Sequence, residues 1–184
     1  MASMDKAYVM KWVGPFTSVE SLRLWEQDYP DFIGSIYLIG GFKPKGTRKK
    51  FYCGKTKKSR YVYERLSDAG HHINELSAKN LEIWIGMMTN YRPTESNIFE
   101  VENIITSAMA NLEIPEKDML NQINMHTPQM DAYVINRWFK PGDVLIERGS
   151  LKADSVAYHI PDLIIYDAAN DNYKGIKRVK RTLY

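Results

Sequence analysis

The chain has 184 residues, of which 44% are hydrophobic and 26% charged, and its formal net charge at pH 7 is +3. This composition supports a folded core and excludes a disordered chain. No apolar run reaches the roughly 18 to 20 residues that cross a bilayer, so neither a membrane span nor a signal peptide is expected. The single cysteine, Cys53, excludes an intrachain disulfide and fits a cytoplasmic, intracellular protein.

The first predicted element is a short helix within PFTSVESLRLWEQDY, which Ser18 can cap. β-branched and aromatic residues then predict a strand over 35–42, SIYLIGGF, and a second strand in KFYCGKT. The turn KPKGTRK between them indicates a hairpin. The segment RYVYERLSDAGHHINEL predicts a helix with a break at Gly70. The segment 81–88, LEIWIGMM, is almost wholly apolar and predicts a central strand.

The segment TESNIFEVENIITSAMANL predicts a longer helix with an apolar stripe. Beyond it, DVLIERGSL and IPDLIIYDA predict strands, and YKGIKRVKRTLY is either a basic tail or a last strand. We therefore expect an α+β fold, with a small three-stranded antiparallel sheet flanked by helices. The predicted units are an N-terminal extension with a helix (1–33), a core (34–124) and a C-terminal extension with strands and a basic tail (125–184).

The low net charge hides two basic segments on an acidic body. Residues 43–65 hold ten basic residues and one acid, residues 174–181 hold five basic residues and no acid, and the rest of the chain holds 10 basic and 21 acidic residues. Focused positive charge favours binding to a polyanion such as nucleic acid, although solvated lysine-rich turns are an alternative. The predicted DNA-binding residues, which include two histidines, are Lys43, Lys45, Arg48, Lys49, Lys50, Lys57, Lys58, Arg60, His71, His72, Lys177, Arg178, Lys180 and Arg181.

An ordered set of polar residues also follows the predicted core elements. In chain order they are Tyr37 in Ser35-Ile36-Tyr37, Tyr52 in Tyr52-Cys53-Gly54, Lys55, Arg65, Glu102 and Asn121. This set resembles the GIY-YIG nuclease family over about residues 34–124. The resemblance implies a compact, restriction-type or phage-type endonuclease that hydrolyses phosphodiester bonds in double-stranded DNA at specific sites. It also implies that the extensions supply DNA contacts or the surface of a homodimer.

Departures from the family pattern leave two assignments open. Arg65 lies farther from Gly54 than the family's arginine usually does, so Arg60 is an alternative. Many members have a histidine or tyrosine one helical turn after that arginine, where this chain has Ala69. The candidate replacements are Tyr61, Tyr63, His71 and His72.

Helical spacing selects Glu102 over Glu100 as the functional carboxylate. Glu102 falls on one line with Ile98 and Ile105, whereas Glu100 points away. A carboxylate on a core-facing stripe needs a partner or a metal, unless it reaches solvent at the edge of the stripe. By the resemblance, Glu102 holds one Mg²⁺ or Mn²⁺ ion.

The same resemblance gives roles to the other residues. Tyr37 or Tyr52 activates or positions the water, Lys55 and Arg65 stabilise the phosphate, and Asn121 supports the site by hydrogen bonds. We expect the nearby cations to lower the pKa of the tyrosines, because they favour the phenolate. The alternatives are a nucleic-acid-binding module that does not cleave and a structure-selective repair nuclease.

Overall fold

The computed structural model describes residues 6–57, 60–121, 128 and 130–178. The strands are β1 (Lys6–Phe16), β2 (Ile36–Phe42), β3 (Lys49–Lys55), β4 (Glu82–Met88), β5 (Ala132–Lys140), β6 (Val144–Leu145), β7 (Leu163–Asp167) and β8 (Asn172–Ile176). The helices are α1 (Val19–Asp28), α2 (Val62–Leu66), α3 (Glu95–Ala108) and α4 (Val156–His159). The strands form one eight-stranded sheet in the order β3-β2-β4-β1-β5-β7-β8, and β6 pairs with β5.

This sheet shows that the predicted fold, a small three-stranded antiparallel sheet flanked by helices, is wrong. The strands β2, β3 and β4 are antiparallel neighbours, but the sheet continues from β4 into β1 and the C-terminal strands. Because β1 is antiparallel to β4 and parallel to β5, the sheet is mixed. Strands from the predicted segments 1–33, 34–124 and 125–184 all join it, and the division into those units stays a prediction.

The N-terminal strand was missed because its pattern is alternating and not a continuous apolar run. In β1, Tyr8, Met10 and Trp12 are fully buried, while Lys6 and Lys11 are partly exposed. A period of two is the pattern of a strand with one face toward a core. The sheet therefore contains β1, a strand from the segment 1–33 for which only a helix was predicted.

The two faces of the sheet carry two separate cores around β2. Ile36 and Leu38 pack in the core that includes α3, whereas Tyr37 and Ile39 pack in the core that includes residues of α1 and α2. Strands covered on both faces are apolar throughout. The expectation that LEIWIGMM forms a central strand is confirmed, because β4 lies between β2 and β1.

The predicted N-terminal cap of α1 is confirmed, but the helix predicted after the hairpin is shorter than expected. The Ser18 side chain accepts a hydrogen bond from the backbone N–H of Ser21 at 3.0 Å, as expected for the cap of α1. The helix predicted after the hairpin is much shorter, because α2 ends at Leu66 and a separate 3₁₀ turn follows at His72–Glu75. The DVLIERGSL segment contributes only β6, a strand of two residues.

In the part of the chain that the structure describes, no helix is both long enough and apolar enough to cross a bilayer.

Candidate functional site

A cavity of about 900 Å³ lies between the C-terminal end of β3, the segment that leads into α2, and α3. The lining side chains that carry charge or an aromatic ring are Tyr52, Lys55, Lys57, Arg60, Arg65, Glu95, Phe99 and Glu102. The structure thus brings together Tyr52, Lys55, Arg65 and Glu102, which the sequence analysis selected from three separate elements. A hydroxyl, two cations and a carboxylate share one concave surface.

Glu102 points into this cavity and forms an ion pair there. Its Oε2 lies 2.6 Å from Nζ of Lys55, and the Glu102 side chain is 17% exposed. The Lys55 ammonium also lies 4.2 Å from the centre of the Phe99 ring, so the lysine is held on α3 by two contacts. Glu100 instead pairs with Lys6 at 2.7 Å, as expected for a side chain that points away from the cavity.

Arg60 and Arg65 both line the cavity, and one carboxylate holds them. Asp68 lies 2.6 Å from a guanidinium nitrogen of each arginine. The two guanidinium groups hold the pKa of Asp68 well below its usual range. Both candidate arginines thus lie at the cavity, and which of them corresponds to the family's arginine stays a prediction. Asp68 was not predicted from the sequence. Its position three residues after Arg65 is, however, the spacing at which side chains on a helical turn can pair.

The two tyrosines have different positions relative to the cavity. Tyr52 lines it, whereas Tyr37 lies behind Tyr52 and is fully buried. Their ring centroids are 6.0 Å apart, so the two rings are near neighbours.

His71 forms a hydrogen bond with Tyr37, and its backbone contact fixes its tautomer. The backbone N–H of Ile73 donates to Nδ1 of His71 at 3.0 Å, so the proton of the neutral ring is on Nε2. That Nε2 lies 2.8 Å from the Tyr37 hydroxyl. The direction of donation is therefore from His71 to Tyr37.

Burial keeps His71 neutral and the tyrosines protonated. Burial, with a smaller contribution from Arg65, lowers the pKa of His71 to about 4. Burial also raises the pKa of Tyr37 and of Tyr52, and it outweighs the opposite effect of Arg65. Arg65 lowers both pKa values, as expected of a neighbouring cation, but the loss of water around each hydroxyl is the larger effect and the net shift is upward.

The two predicted DNA-binding histidines lie in different surroundings. His71 is only 4% exposed and serves Tyr37, so its ring is beneath the surface. His72 is partly exposed, and its Nδ1 lies 2.7 Å from the carboxylate of Glu75. Of the two histidines, His72 is thus the more accessible from solvent, and DNA contact by either stays a prediction.

Asn121 supports the site from the edge of β3. Its side-chain oxygen accepts from the backbone N–H of Cys53 at 3.0 Å, and its amide nitrogen donates to the Cys53 carbonyl at 2.6 Å. The amide thus forms the two hydrogen bonds that a neighbouring strand would form. It pairs the backbone N–H and carbonyl of Cys53, which would otherwise lack partners at the edge of the sheet. Cys53 itself is fully buried, as expected from its position between the tyrosine and the glycine.

Gly54 is required by the close approach of both tyrosines. A Cβ atom at this position would lie 2.6 Å from the Tyr37 hydroxyl oxygen and 2.6 Å from a ring carbon of Tyr52. Neither distance is compatible with van der Waals contact. The glycine in Tyr52-Cys53-Gly54 therefore makes room for the pair of rings.

Much of the basic charge counted in the hairpin is paired with carboxylates. Arg48 and Lys50 both contact Asp118, at 2.7 and 3.2 Å, and Lys49 contacts the buried Glu82 at 2.8 Å. Lys43 contacts a glutamate on the 3₁₀ turn at 2.9 Å. The free positive charge near the hairpin is therefore smaller than the sequence count indicates.

Other predicted DNA-binding residues remain at the surface or lie outside the described residues. Lys45, Lys57 and Arg178 are exposed. Lys177 lies 2.8 Å from Glu113 and is 46% exposed. Lys58, Lys180 and Arg181 lie outside the described residues. DNA contact by any of these residues stays a prediction.

A metal ion in the cavity would have to take most of its ligands from water and phosphate, because the carboxylates among the lining residues are Glu95 and Glu102. Among the described residues, no group of three or more His, Cys, Asp or Glu side chains could hold a metal ion. Glu95 and Glu102 both line the cavity and lie two turns apart on α3. Mg²⁺ is commonly bound by one or two carboxylates together with waters and substrate phosphates, and Mn²⁺ accepts the same oxygen ligands.

No family model, curated protein or solved structure matches this chain. Function is therefore inferred from the cavity and the side chains that line it.

Proposed function

We propose that the protein is a metal-dependent endonuclease that hydrolyses phosphodiester bonds in double-stranded DNA at specific sites. The observation that carries this proposal is the convergence of Tyr52, Lys55, Arg65 and Glu102 on one cavity. Phosphodiester hydrolysis needs a positioned water, a carboxylate for a metal ion and cations for the charge that develops on the phosphate. The resemblance of the same residues to the GIY-YIG nucleases supports this function.

Arg60 and Arg65 are the groups that bind the phosphate in this proposal. A guanidinium has five N–H donors in a planar fork, and such forks bind phosphate oxygens in pairs. Each arginine uses only some of its donors on Asp68, at 2.6 Å. Asp68 therefore orients both guanidinium groups and leaves donors for the substrate.

Glu102 would hold the metal ion, with Glu95 on the same wall of the cavity. The ion, when bound, supplies positive charge to the phosphate and to the attacking water. Lys55 lies 2.6 Å from Glu102 and holds that carboxylate in the cavity. Lys55 also places a second positive charge beside the phosphate.

Tyr52 is the tyrosine that positions the water, because it lines the cavity and Tyr37 does not reach it. Its hydroxyl can donate one hydrogen bond to the water and accept another from it. Tyr37 packs beside the Tyr52 ring and is itself held by His71 through a hydrogen bond of 2.8 Å. Both act as positioning residues.

The test is incubation of the purified protein with a mixed-sequence plasmid and Mg²⁺ or Mn²⁺. Discrete fragments would support site-specific cleavage, a smear would support cleavage without sequence preference, and nicking alone would support a structure-selective nuclease. DNA binding without cleavage would favour the non-cleaving module. Tyr52→Phe should lower the rate by about a hundredfold or more, in the range of general acid–base groups. Tyr63→Phe is the matched control, and equal rates for Tyr52→Phe and wild type would contradict the assigned role.

A further inference from the structure

A second, smaller cavity of about 210 Å³ lies between the end of α1, the segment that leads into β2, and the start of α2. Its apolar or aromatic lining residues are Pro30, Phe32, Ile33 and Tyr61, apart from a glycine, and its charged ones are Glu26 and Arg60. The nuclease site described above does not use Glu26, Phe32, Ile33 or Tyr61. The volume admits one planar ring system and is too small for a base pair.

Tyr61 provides a rigid aromatic wall for this cavity. Its ring stacks on Tyr63, with centroids 5.6 Å apart and an angle of 22° between the ring planes. The Tyr61 side chain nevertheless remains 36% exposed. A partly exposed aromatic ring held by a second ring is a surface on which a nucleobase can stack.

Glu26 provides a buried acceptor in the same cavity. It is 1% exposed, and its two oxygens accept from the backbone N–H groups of Val62 at 3.0 Å and Tyr63 at 2.8 Å. Within the described part of the chain, no lysine or arginine forms an ion pair with it. Each carboxylate oxygen can accept more than one hydrogen bond, so Glu26 retains capacity for a ligand that donates.

Arg60 connects this small cavity with the proposed nuclease site, because its side chain lines both. Its guanidinium is fixed by Asp68 and by the carbonyl of Glu64, at 2.6 and 2.8 Å. A phosphate bound by Arg60 in the larger cavity would therefore place the neighbouring nucleotide at the entrance of the smaller one.

We propose that the small cavity binds one unpaired nucleobase, displaced from the DNA stack, next to the phosphate held by Arg60. The base stacks on Tyr61 and donates hydrogen bonds to Glu26. Guanine is the best match, because its N1–H and N2 amino groups present two parallel donors to a carboxylate, whereas adenine and cytosine present only an exocyclic amino group. This proposal rests on the proposed function, since it assumes a DNA substrate.

The experiment measures binding without divalent metal ions, so that cleavage does not occur. End-labelled single strands of thymidine are titrated with the full-length protein by fluorescence anisotropy, with a central position that is dT, dG or abasic. The dG strand should bind about tenfold more tightly than the other two. Tyr61→Phe should retain this preference, and Tyr61→Ala should lose it. Tyr29→Ala is the matched control, because Tyr29 is 47% exposed and stacks on Trp25.

Two results would overturn the base site: equal affinity of the wild type for all three strands, or an unchanged dG preference in Tyr61→Ala. A thermal melt of each variant shows whether it is folded. A protein that prefers dG but never cuts plasmid would refute the nuclease and keep the base site. A protein that cuts plasmid without any dG preference would refute the base site alone.

Discussion

The acid sensitivity of folding should depend on His71. This side chain is 4% exposed, accepts from the backbone N–H of Ile73 and donates to Tyr37. Protonation of Nδ1 would remove the first of these hydrogen bonds and place a charge in a buried site. The pKa of His71 in the folded protein is therefore about 4, against 6.5 for a free histidine.

The charges around His71 act in the same direction as burial, except for one. Arg65 and His72 lower the pKa further, and Asp68 raises it. Because the folded pKa is lowered, the unfolded chain binds a proton at higher pH than the folded chain does. The titration of His71 therefore does not reduce the free energy of unfolding above about pH 6.5. It reduces this free energy progressively as the pH decreases toward 4. At about 1.4 kcal/mol per pKa unit, the full loss is about 3 kcal/mol, and the loss between pH 7 and pH 4.5 is about 2 kcal/mol.

Urea unfolding of the wild type and of His71→Gln at pH 7 and pH 4.5 measures this contribution. Glutamine does not titrate, and its amide can still donate toward Tyr37. The wild type should lose about 2 kcal/mol more than the variant between the two pH values, while all other titrating groups contribute equally to both proteins. Equal losses in the two proteins would refute a buried neutral His71 and the direction of the hydrogen bonds derived from it.

Two further predictions concern Gly54 and the C-terminal tail. Gly54→Ala should reduce plasmid cleavage at least tenfold, because its Cβ would lie 2.6 Å from atoms of Tyr37 and Tyr52; a variant that folds and cuts like the wild type would contradict the need for this close approach. Truncation after Arg178 should reduce the slope of log affinity against log salt by about two units, since each lost phosphate contact contributes roughly 0.9; an unchanged slope would show that the last six residues do not contact DNA.

The sequence predicted the parts of the fold that depend on local pattern. Strands β2 and β4 consist mostly of apolar residues, and α3 has an apolar stripe. Helical spacing also separated Glu102 from Glu100, which pairs with Lys6 outside the cavity. These predictions need only the periodicities of strands and helices.

The pairing between distant segments could not be predicted in this way. Strand β1 pairs in parallel with β5, which begins at Ala132 and lies near the other end of the chain. The neutralisation of basic residues by Asp118 and Asp68 also requires the folded chain, because Arg48 lies far from Asp118 in sequence. The pKa of Tyr52 is raised mainly by burial, and the number of charged residues nearby in the sequence does not predict burial.

The most direct test of the proposed endonuclease compares Glu102→Gln with Glu100→Gln. Both glutamates lie on α3, but only Glu102 lines the cavity, while Glu100 pairs with Lys6 at 2.7 Å. Plasmid cleavage with Mg²⁺ and DNA affinity without metal are measured for the wild type and both variants. The proposal predicts that Glu102→Gln binds DNA but does not cut it and that Glu100→Gln cuts at nearly the wild-type rate. Near-wild-type cleavage by Glu102→Gln, or no cleavage by the wild type itself, would contradict it.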